Sequence, residues 1–505
     1  MYTFDWLAKQ TEIRPNKEAL VDVATNRHYT YLQLNERASR FSEFIRDEWG
    51  IKPGETIAIL APNSSDYIEV LYGCAKVGVI LVCLNWRLAV PELEFIIKDS
   101  TPKALIYDPE FTDTAHVLKE KGLVDLLMVL SDNVPKGEWG YETALAHSSG
   151  QPIVMPPRGL DEVWHLLYTS GTTGRPKGVL QTFGMVFYNA VNIGTGSDLT
   201  SNDVTLNMLP FFHTGGLNLM TNATFHVGGT AIVQRAFNPD ETLRLLSEEA
   251  TVIFTVPAVY RSLSQHPNFE KTDLSRVRCW ECGGEPMPVE LLEYYADHGI
   301  NIRQGFGMTE TGPTVFLIDE EHAINKGGSV GKPQMHVAVR IVDPEGNDLP
   351  PGKVGELLVK GPGVTPGYWK LPDMTAESIK DSWLHTGDLA QVDDEGYYYI
   401  VGRLKDMFIS GGENVYPAEI EQLLYKIPQI DEATVIGVKD PKWGEVGKGI
   451  IVLKPNHTLS EQDVIEFLKG KLAKYKIPKS VVFTDKLPRS AAGKVLKKEL
   501  QDKYS

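Results

Sequence analysis

Apolar residues in the first 150 positions of the chain follow two alternating periods. Helical spacing of the apolar positions predicts amphipathic helices over 32–47 and 67–77. Short apolar runs predict strands over 56–60 and 80–84. Because strands that alternate with helices usually pair in parallel, this region is predicted to be an α/β unit with a mostly parallel sheet.

The pattern changes further along the chain. Apolar and polar residues alternate over 337–342, 355–360 and 397–401, with Gly and Pro between them, which predicts short antiparallel strands in a small barrel-like part. A helix beginning after Ser460 and a strand over 481–483 predict a compact α+β unit at the end of the chain. The fold class is therefore α/β with a small α+β unit following it.

Composition narrows the class of protein. The chain has 505 residues, enough for about three domain-sized units, with 42% hydrophobic and 23% charged residues. A formal net charge of −16 argues against a nucleic-acid partner. No secretory pattern or apolar run of transmembrane length is found, so a cytoplasmic protein with at most peripheral membrane contact is expected. The sequence does not reveal the oligomeric state, for which a homodimer is considered.

The four cysteines favour a reducing compartment. Cys279 and Cys282 form a C-x-x-C pattern, but no second pair or nearby His cluster completes a zinc site. They follow an apolar run, so a buried strand is the better interpretation than a redox pair.

The stretch from Tyr168 to Val179 is rich in glycines and hydroxyls and contains one lysine. Glycines allow several backbone N–H groups to point at one anion, and hydroxyls and a lysine add donors. A polar surface loop is the alternative. Pro176 before Lys177 and Gly178 after it exclude a Walker A loop, which opens directly into a helix. The candidate phosphate ligands are Thr169, Ser170, Gly171, Thr172, Thr173, Gly174 and Lys177.

Further segments could carry chemistry, although each alone fits a packed histidine, an ordinary turn or surface charge. They contain, in chain order, Pro210-Phe211-Phe212-His213, Gly283-Gly284-Glu285-Pro286, Gln304-Gly305-Phe306-Gly307-Met308-Thr309-Glu310, Gly387-Asp388, Gly402-Arg403-Leu404-Lys405, Ser410-Gly411-Gly412, Trp443 and Pro488-Arg489-Ser490-Ala491-Ala492-Gly493-Lys494. An aromatic such as Phe306 can lie on a nucleobase, and a carboxylate such as Asp388 can accept from both hydroxyls of a ribose.

These segments, in this order and spacing, resemble the adenylate-forming superfamily, in its acyl-CoA synthetase and fatty-acid–CoA ligase branch. The resemblance spans nearly the whole chain. It implies a large AMP-binding domain over 1–402 and a small mobile domain over 403–505, with Lys405 as the hinge. It also implies Mg²⁺, ATP and coenzyme A as cofactor and substrates.

The resemblance implies roles for individual residues. Lys494, Thr309, Glu310 and His213 would be catalytic, with His213 placed where the acyl group and the thiol meet. Glu310 and Thr169 would hold Mg²⁺. The stretch from Tyr168 to Val179 would be a phosphate loop that binds the nucleotide. The other nucleotide ligands would be Gly283, Gly284, Glu285, Pro286, Gln304, Gly305, Phe306, Gly307, Met308, Asp388 and Arg403. Coenzyme A would be bound by Ser410, Gly411, Gly412 and Trp443.

The implied reaction joins a carboxylic acid to ATP as an acyl-adenylate, with release of pyrophosphate, and then transfers the acyl group to coenzyme A. Apolar residues around Phe212 and from Thr311 to Val315 allow a fatty acid, and a medium- to long-chain fatty acid is the substrate expected here. An aromatic acid of the 4-coumarate or benzoate type is the alternative. A luciferase-like oxygenase and a catalytically silent nucleotide-binding protein remain alternatives of other classes. Amino-acid-activating relatives carry an Asp where His213 stands, which argues against an amino acid substrate.

Overall fold

The structure is a computed structural model of the 505-residue chain. It describes residues 1–170, 176–411, 413–489 and 495–504, and for Ser170 the backbone only. The following statements concern these residues. The predicted ligands Gly171, Thr172, Thr173, Gly174, Gly412 and Lys494 therefore lie outside the described residues.

A seven-stranded sheet, the first sheet, is built mostly from the beginning of the chain. Its inner strands pair in parallel, as the alternating pattern predicts, and the strand of residues 56–60 is buried throughout. In spatial order its strands in the described chain are Pro176–Thr182, Val163–Ser170, Ile80–Cys83, Thr56–Leu60, Ala104–Tyr107, Leu126–Val129 and Trp139–Gly140.

A nine-stranded sheet, the second sheet, forms the centre of the large domain. Its strands, in spatial order within the described chain, are Lys332–Pro333, Phe316–Leu317, Ile302–Phe306, Cys279–Cys282, Val252–Thr255, Val204–Asn207, Thr230–Val233, Glu18–Asp22 and Arg27–Thr30. The last two come from the start of the chain, where Ala231 is paired in parallel with Leu20. Residues 1–150 are thus not a self-contained unit, because this early hairpin completes a sheet made by residues about 200 positions later.

Two smaller sheets follow. The third sheet is antiparallel and occupies the region for which the barrel-like part is predicted. Its strands are Ala338–Val342, Gly355–Lys360, Trp383–Val392, Ile379–Lys380 and Tyr398–Arg403. The C-terminal sheet contains Glu413–Val415, Phe408–Ser410, Gly444–Leu453, Ile430–Asp440 and Ser480–Phe483. A two-stranded ribbon pairs Tyr2–Thr3 with Arg158–Gly159.

Helices cover the faces of the sheets, and their ends have identifiable caps. The predicted helix over 32–47 begins at Tyr31, where Thr30 and Gln33 form a capping box. The helix before Gly78 ends with that glycine in the left-handed conformation. The described α-helices are Trp6–Ile13, Tyr31–Asp47, Ser65–Val77, Val90–Ser100, Thr112–Glu120, Tyr141–His147, Phe183–Gly196, Ala223–Val227, Pro239–Glu248, Pro257–Ser264, Val289–Asp297, Pro372–Ser378, Pro417–Leu424, Glu461–Leu468 and Lys497–Tyr504.

The buried core confirms the interpretation of the cysteines. Cys279 and Cys282 lie on a fully buried strand, and all four thiols are free. Within the described ranges, no helix combines the length and the apolar character needed to cross a lipid bilayer.

Candidate active site

The candidate site lies where parallel strands of the second sheet end. Strands ending at Asn207, Thr255, Cys282 and Phe306 pair in parallel, so their carboxyl ends lie at one edge. This is the edge at which open α/β sheets bind ligands. The segments that follow three of these strands are the ones singled out in the sequence, 209–213, 283–286 and 307–310. Topology therefore brings together motifs that are separated by about 100 residues.

The phosphate loop joins two antiparallel strands of the first sheet. Thr169 on one strand is paired with Lys177 on the other, so the described ends of the loop lie side by side. The Lys177 ammonium is 2.9 Å from Oε1 of Glu310 and donates to the Tyr368 hydroxyl at 2.7 Å. The Tyr368 hydroxyl in turn donates to Glu310 Oε1 at 3.1 Å. The two strands that flank the phosphate loop thus meet the Glu310 segment at a cluster formed by Lys177, Tyr368 and Glu310.

The charge state of this cluster follows from its surroundings. Burial lowers the pKa of Lys177, but the carboxylate of Glu310 and the Tyr368 hydroxyl outweigh that effect, so the pKa is raised above its ordinary value. Burial and the same carboxylate raise the pKa of Tyr368. Lys177 therefore stays protonated and Tyr368 neutral at physiological pH, as anion binding by a lysine requires.

The residues predicted to hold Mg²⁺ fit a hard cation bound jointly with phosphates. Among the described residues, both hydrogen-bonding partners of Glu310 contact Oε1, which leaves Oε2 for a ligand. The Thr169 hydroxyl is buried and has no hydrogen-bond partner in the described chain. The described residues contain no group of three or more His, Cys, Asp or Glu that could bind a metal by themselves. One carboxylate and a hydroxyl suit Mg²⁺, which keeps several waters and takes oxygens from substrate phosphates.

The His213 segment is held by a buried side chain that the sequence reasoning missed. Asn63, which follows a strand of the first sheet, donates to the Leu209 carbonyl at 2.9 Å and accepts from the Phe211 N–H at 2.8 Å. The Phe212 and His213 rings lie 4.5 Å apart, and Trp86 contacts Phe212 edge-on at 6.1 Å. Aromatic rings therefore pack around Phe212, directly beside His213.

A π-helix follows His213 and anchors a buried polar network. It spans Gly215–Asn222, a rare conformation that is often found at functional sites. Asn218 on this helix donates to Oε1 of Gln181 and to Oγ1 of Thr214, both at 3.1 Å. Gln181 donates to the Thr309 carbonyl at 2.9 Å. This network, which no motif indicated, connects the phosphate-loop hairpin, the Thr309 segment and the His213 segment.

The turn at 283–286 and the strand ending at Phe306 form the next part of the site. Gln304 accepts from the backbone N–H of Met287 at 3.1 Å and so fixes the end of this turn. A Cβ at Gly307 would lie 1.2 Å from the Pro313 carbonyl oxygen, so only glycine fits there. The Glu285 carboxylate is 3.4 Å from Nη1 of Arg489, which belongs to the C-terminal unit.

The predicted ribose ligands and hinge lie at the end of the third sheet. Asp388 is paired with Arg403, and the carboxylate and guanidinium are 3.5 Å apart. Lys405 lies in the exposed segment between this sheet and the first strand of the C-terminal sheet, which begins at Phe408.

Of the predicted coenzyme A ligands, the structure describes Ser410, Gly411 and Trp443, which lie together on the C-terminal sheet. Gly411 has a φ of +61°, and a Cβ there would lie 2.8 Å from the ring of Trp443. Its N–H donates to the Trp443 carbonyl at 2.9 Å, while the indole is 39% exposed. Ser410 is buried at the end of the preceding strand. The exposed indole therefore packs so closely on Gly411 that a larger residue would force a shift.

The residues on either side of the segment that contains Lys494 lie together, although Lys494 itself is outside the described residues. Arg489 and Val495 are antiparallel bridge partners, and the Leu496 N–H donates to the Pro488 carbonyl at 2.9 Å. Arg489 also contacts Glu285 of the large domain.

Tyr368 is the other functional candidate that sequence reasoning missed. It follows a Pro-Gly pair in an ordinary-looking turn, and only its pairing with Lys177 and Glu310 reveals it. An aromatic hydroxyl directly after a turn is too common a pattern to have identified it in advance.

Comparison with protein families agrees with this arrangement. Residues 7–369 match the family model described as AMP-binding enzyme, and residues 419–494 match the AMP-binding enzyme C-terminal domain.

Among curated proteins, the chain is 40% identical to feruloyl-CoA synthase from Amycolatopsis sp over 500 residues, covering 99% of this chain and 98% of that protein. It is 36% identical to indoleacetate–CoA ligase from Aromatoleum aromaticum, covering 98% and 97% of the two chains. It is also 36% identical to long-chain-fatty-acid–CoA ligase FadD13 from Mycobacterium tuberculosis, covering 100% and 99%.

Solved structures show the same full-length likeness. The ATP-bound MatB from Rhodopseudomonas palustris superposes with a TM-score of 0.91 at 32% identity, covering 99% of this chain and 98% of that one. The o-succinylbenzoate coenzyme A synthetase MenE from Bacillus subtilis, in complex with ATP and magnesium ion, gives a TM-score of 0.89 at 31% identity, covering 99% and 100%.

Proposed function

The chain belongs to the AMP-binding enzyme family and is an ATP-dependent acid–CoA ligase, and from that premise we propose that its acid carries an aromatic ring. Mg²⁺, ATP and coenzyme A are its cofactor and co-substrates. The fatty-acid preference expected from the apolar residues near Phe212 is less well supported than its aromatic alternative.

The observation that carries the aromatic acid is the full-length similarity to enzymes named for such acids. The names of the relatives with 40% and 36% identity specify feruloyl and indoleacetate groups. A long-chain fatty-acid ligase is also 36% identical, which keeps that acid as the second candidate. The aromatic rings of Trp86 and Phe212 beside His213 support the first candidate, because a flat ring gains edge or offset contacts that a flexible chain does not.

The adenylation step places negative charge where the candidate site has its positive groups. Attack of the carboxylate on the α-phosphorus forms the C–O–P bond of the acyl-adenylate and breaks the bond to pyrophosphate. We assign to Lys177 the stabilisation of the departing pyrophosphate and to Thr309 a hydrogen bond to the α-phosphate. Mg²⁺ held by Glu310, with Thr169, would neutralise phosphate charge. Lys494 would bring a further positive charge to the α-phosphate.

The second step requires different residues, which the C-terminal domain, predicted to begin at residue 403, would bring in by turning about Lys405. The thiol of coenzyme A attacks the acyl carbon, and AMP leaves. We assign the passage of the pantetheine arm to the segment containing Gly411, and contact with the adenine of coenzyme A to the exposed indole of Trp443. We assign to His213 a place where the acyl group and the thiol meet.

The test measures both products with a panel of acids. Pyrophosphate release and thioester mass are followed with Mg·ATP, coenzyme A and one acid at a time: ferulate, 4-coumarate, benzoate, indoleacetate, and fatty acids from 6 to 18 carbons. We expect kcat/KM for an aromatic acid to exceed that for every fatty acid by about tenfold or more, which corresponds to about 1.4 kcal/mol.

A pocket variant makes the test specific. Phe212→Leu keeps the apolar character but removes the ring, so it should lower kcat/KM for the aromatic acid more than for octanoate. Phe269→Leu, at a buried aromatic in the separate core beside the second sheet, should leave the ratio of the two acids unchanged. An optimum on a long fatty acid would contradict the proposal and favour the second candidate. Light emission with an aromatic thiazole acid would favour the luciferase-like alternative.

A further inference from the structure

One ion pair crosses from the large domain to the segment that carries Lys494. The Arg489 guanidinium is 3.4 Å from the Glu285 carboxylate, although the two residues are 204 positions apart. Glu285 lies in the turn that follows the strand Cys279–Cys282, at the carboxyl edge of the second sheet. Both side chains are partly exposed, at 29% and 24%, so the contact lies at a boundary between two units and not in a core.

Arg489 is itself oriented by its own domain. Its Nη2 donates to Glu432 at 2.8 Å, and Glu432 lies on the strand Ile430–Asp440 of the C-terminal sheet. Burial lowers the pKa of Arg489, but the carboxylates of Glu432 and Glu285 outweigh that effect. The guanidinium is therefore a charged group held on the small domain and presented to Glu285.

The same strand supplies a second contact to the large domain. Asp431, next to Glu432, accepts from Nη1 of Arg261 through its backbone carbonyl at 2.7 Å and through its carboxylate at 3.2 Å. Arg261 lies on the helix Pro257–Ser264 of the large domain. The contact of Asp431 with Arg261 and the contact of Arg489 with Glu285 together fix an orientation better than one contact can.

The position of this pair relative to Lys494 gives it a functional meaning. Arg489 is the bridge partner of Val495, which directly follows Lys494. A contact that holds Arg489 in place therefore also holds Val495, and these two residues flank the segment 490–494. Because the reacting groups must be aligned closely for catalysis, a displaced lysine would slow the step that uses it.

We propose that Arg489 and Glu285 are positioning residues for acyl-adenylate formation, whose ion pair seats the C-terminal domain so that Lys494 reaches the α-phosphate. The proposal rests on the role assigned to Lys494 above. It gives Glu285 a task in domain docking in addition to its predicted place beside the nucleotide. A partly exposed ion pair is weak, which suits a contact that must be released before the thioester step.

The experiment compares the two half-reactions in full-length protein. Arg489→Ala is assayed for pyrophosphate release with the best acid at saturating Mg·ATP, and for thioester formation from supplied acyl-AMP and coenzyme A. We expect adenylation to fall by about fivefold, the size of effect that a partly exposed ion pair allows, and thioester formation to stay within about twofold of the unaltered protein. A general loss of folding would lower both rates, so it would not produce this split.

Two further variants identify the partner. Glu285→Ala removes the other half of the pair. If Arg489 acts through Glu285, the double variant should adenylate within about twofold of the slower of the two single variants. Arg340→Ala removes an arginine that pairs at 2.6 Å with Asp348 inside the large domain, and it should leave both half-reactions unchanged.

The outcomes separate this proposal from the proposed function. If the unaltered protein forms thioester but Arg489→Ala adenylates at the same rate, the positioning role is wrong while the ligase assignment stands. Equal losses in both half-reactions, or losses in the double variant that multiply, would also overturn the positioning role. Turnover of a fatty acid in place of an aromatic one would overturn the proposed acid and leave this test usable with the acid that reacts.

Discussion

Tyr368 shows how a single hydroxyl can organise two charged groups. It accepts from Lys177 at 2.7 Å and donates to Glu310 at 3.1 Å, while its ring lies 3.9 Å from the lysine nitrogen. Tyr368→Phe keeps the ring and removes both hydrogen bonds. Hydrogen bonds to charged groups contribute about 1.5–3 kcal/mol, so we expect pyrophosphate release to slow by about tenfold or more.

Steady-state kinetics with varied ATP check this prediction. Since Lys177 is assigned to the phosphates, the loss should include a higher KM for ATP. Tyr399→Phe is the matched control, because that hydroxyl makes a 3.4 Å contact to Asp393 in the third sheet. A Tyr368→Phe protein with unaltered kinetics would show that the lysine and the carboxylate need no third partner.

At the scale of an element, the strand Val163–Ser170 carries a histidine that cannot take up a proton. His165 is fully buried near Asn218 of the π-helix, and burial lowers its pKa to about 3. In the unfolded chain a histidine has its ordinary pKa of about 6.5. Between pH 6.5 and 3 the unfolded state therefore binds the extra proton, so this histidine reduces stability as the pH falls through that window.

Replacing this histidine should remove the effect. The contribution of His165 to the free energy of unfolding is lower by about 1.4 kcal/mol at pH 5.5 than at pH 7.5, because pH 5.5 lies one unit below the pKa of a histidine in the unfolded chain. His165→Gln keeps a polar group that does not titrate. The free energy of unfolding of the variant, measured relative to that of the unaltered protein, should therefore rise by about that amount when the pH is lowered from 7.5 to 5.5. Urea unfolding at both pH values measures this change.

His298→Gln provides a control of opposite sign. A backbone hydrogen bond to the Tyr294 carbonyl and the Glu270 carboxylate raise the pKa of His298. His298 stabilises the fold at pH values below the pKa that it has in the unfolded chain, and this effect is lost as the pH rises through the pKa of the folded state. Removing it should therefore lower the free energy of unfolding more at pH 5.5 than at pH 7.5. Parallel pH profiles for the unaltered protein and the His165 variant would contradict the burial argument.

At the scale of the whole molecule, the sequence predicted local structure well and long-range contacts poorly. The spacing of apolar residues located the strand Thr56–Leu60 and the helix from Tyr31 to Asp47, because such spacing depends on neighbours in the chain. The motifs predicted which segments would surround the nucleotide, and the topology brings three of these segments to one edge of the second sheet. The pairing of Glu285 with Arg489 could not be predicted, since it depends on how two domains meet. The early hairpin of the second sheet was missed for the same reason, because its partner strand lies about 200 residues away.

Domain movement leads to the last prediction. Lys405 lies in the exposed segment between Arg403, which ends the third sheet, and Phe408, which begins the C-terminal sheet. If the small domain turns about this residue, Lys405→Pro fixes its φ and stiffens the connection. We expect adenylation to stay within about twofold and thioester formation from supplied acyl-AMP to fall by at least about tenfold. This is the reverse of the split expected for Arg489→Ala, because one change weakens the first orientation and the other hinders the second.

The matched control for the hinge is Lys405→Ala, which removes the same side chain without restricting the backbone. It should leave both half-reactions near their unaltered rates, since only backbone rotation is required of a hinge. Rapid-quench measurement of each half-reaction decides the matter. If Lys405→Pro slows adenylation and spares thioester formation, the turning point lies elsewhere between the third sheet and the C-terminal sheet. If Lys405→Ala is as slow as the proline variant in the thioester step, the ammonium itself takes part in that step, and the residue is a ligand and not a hinge.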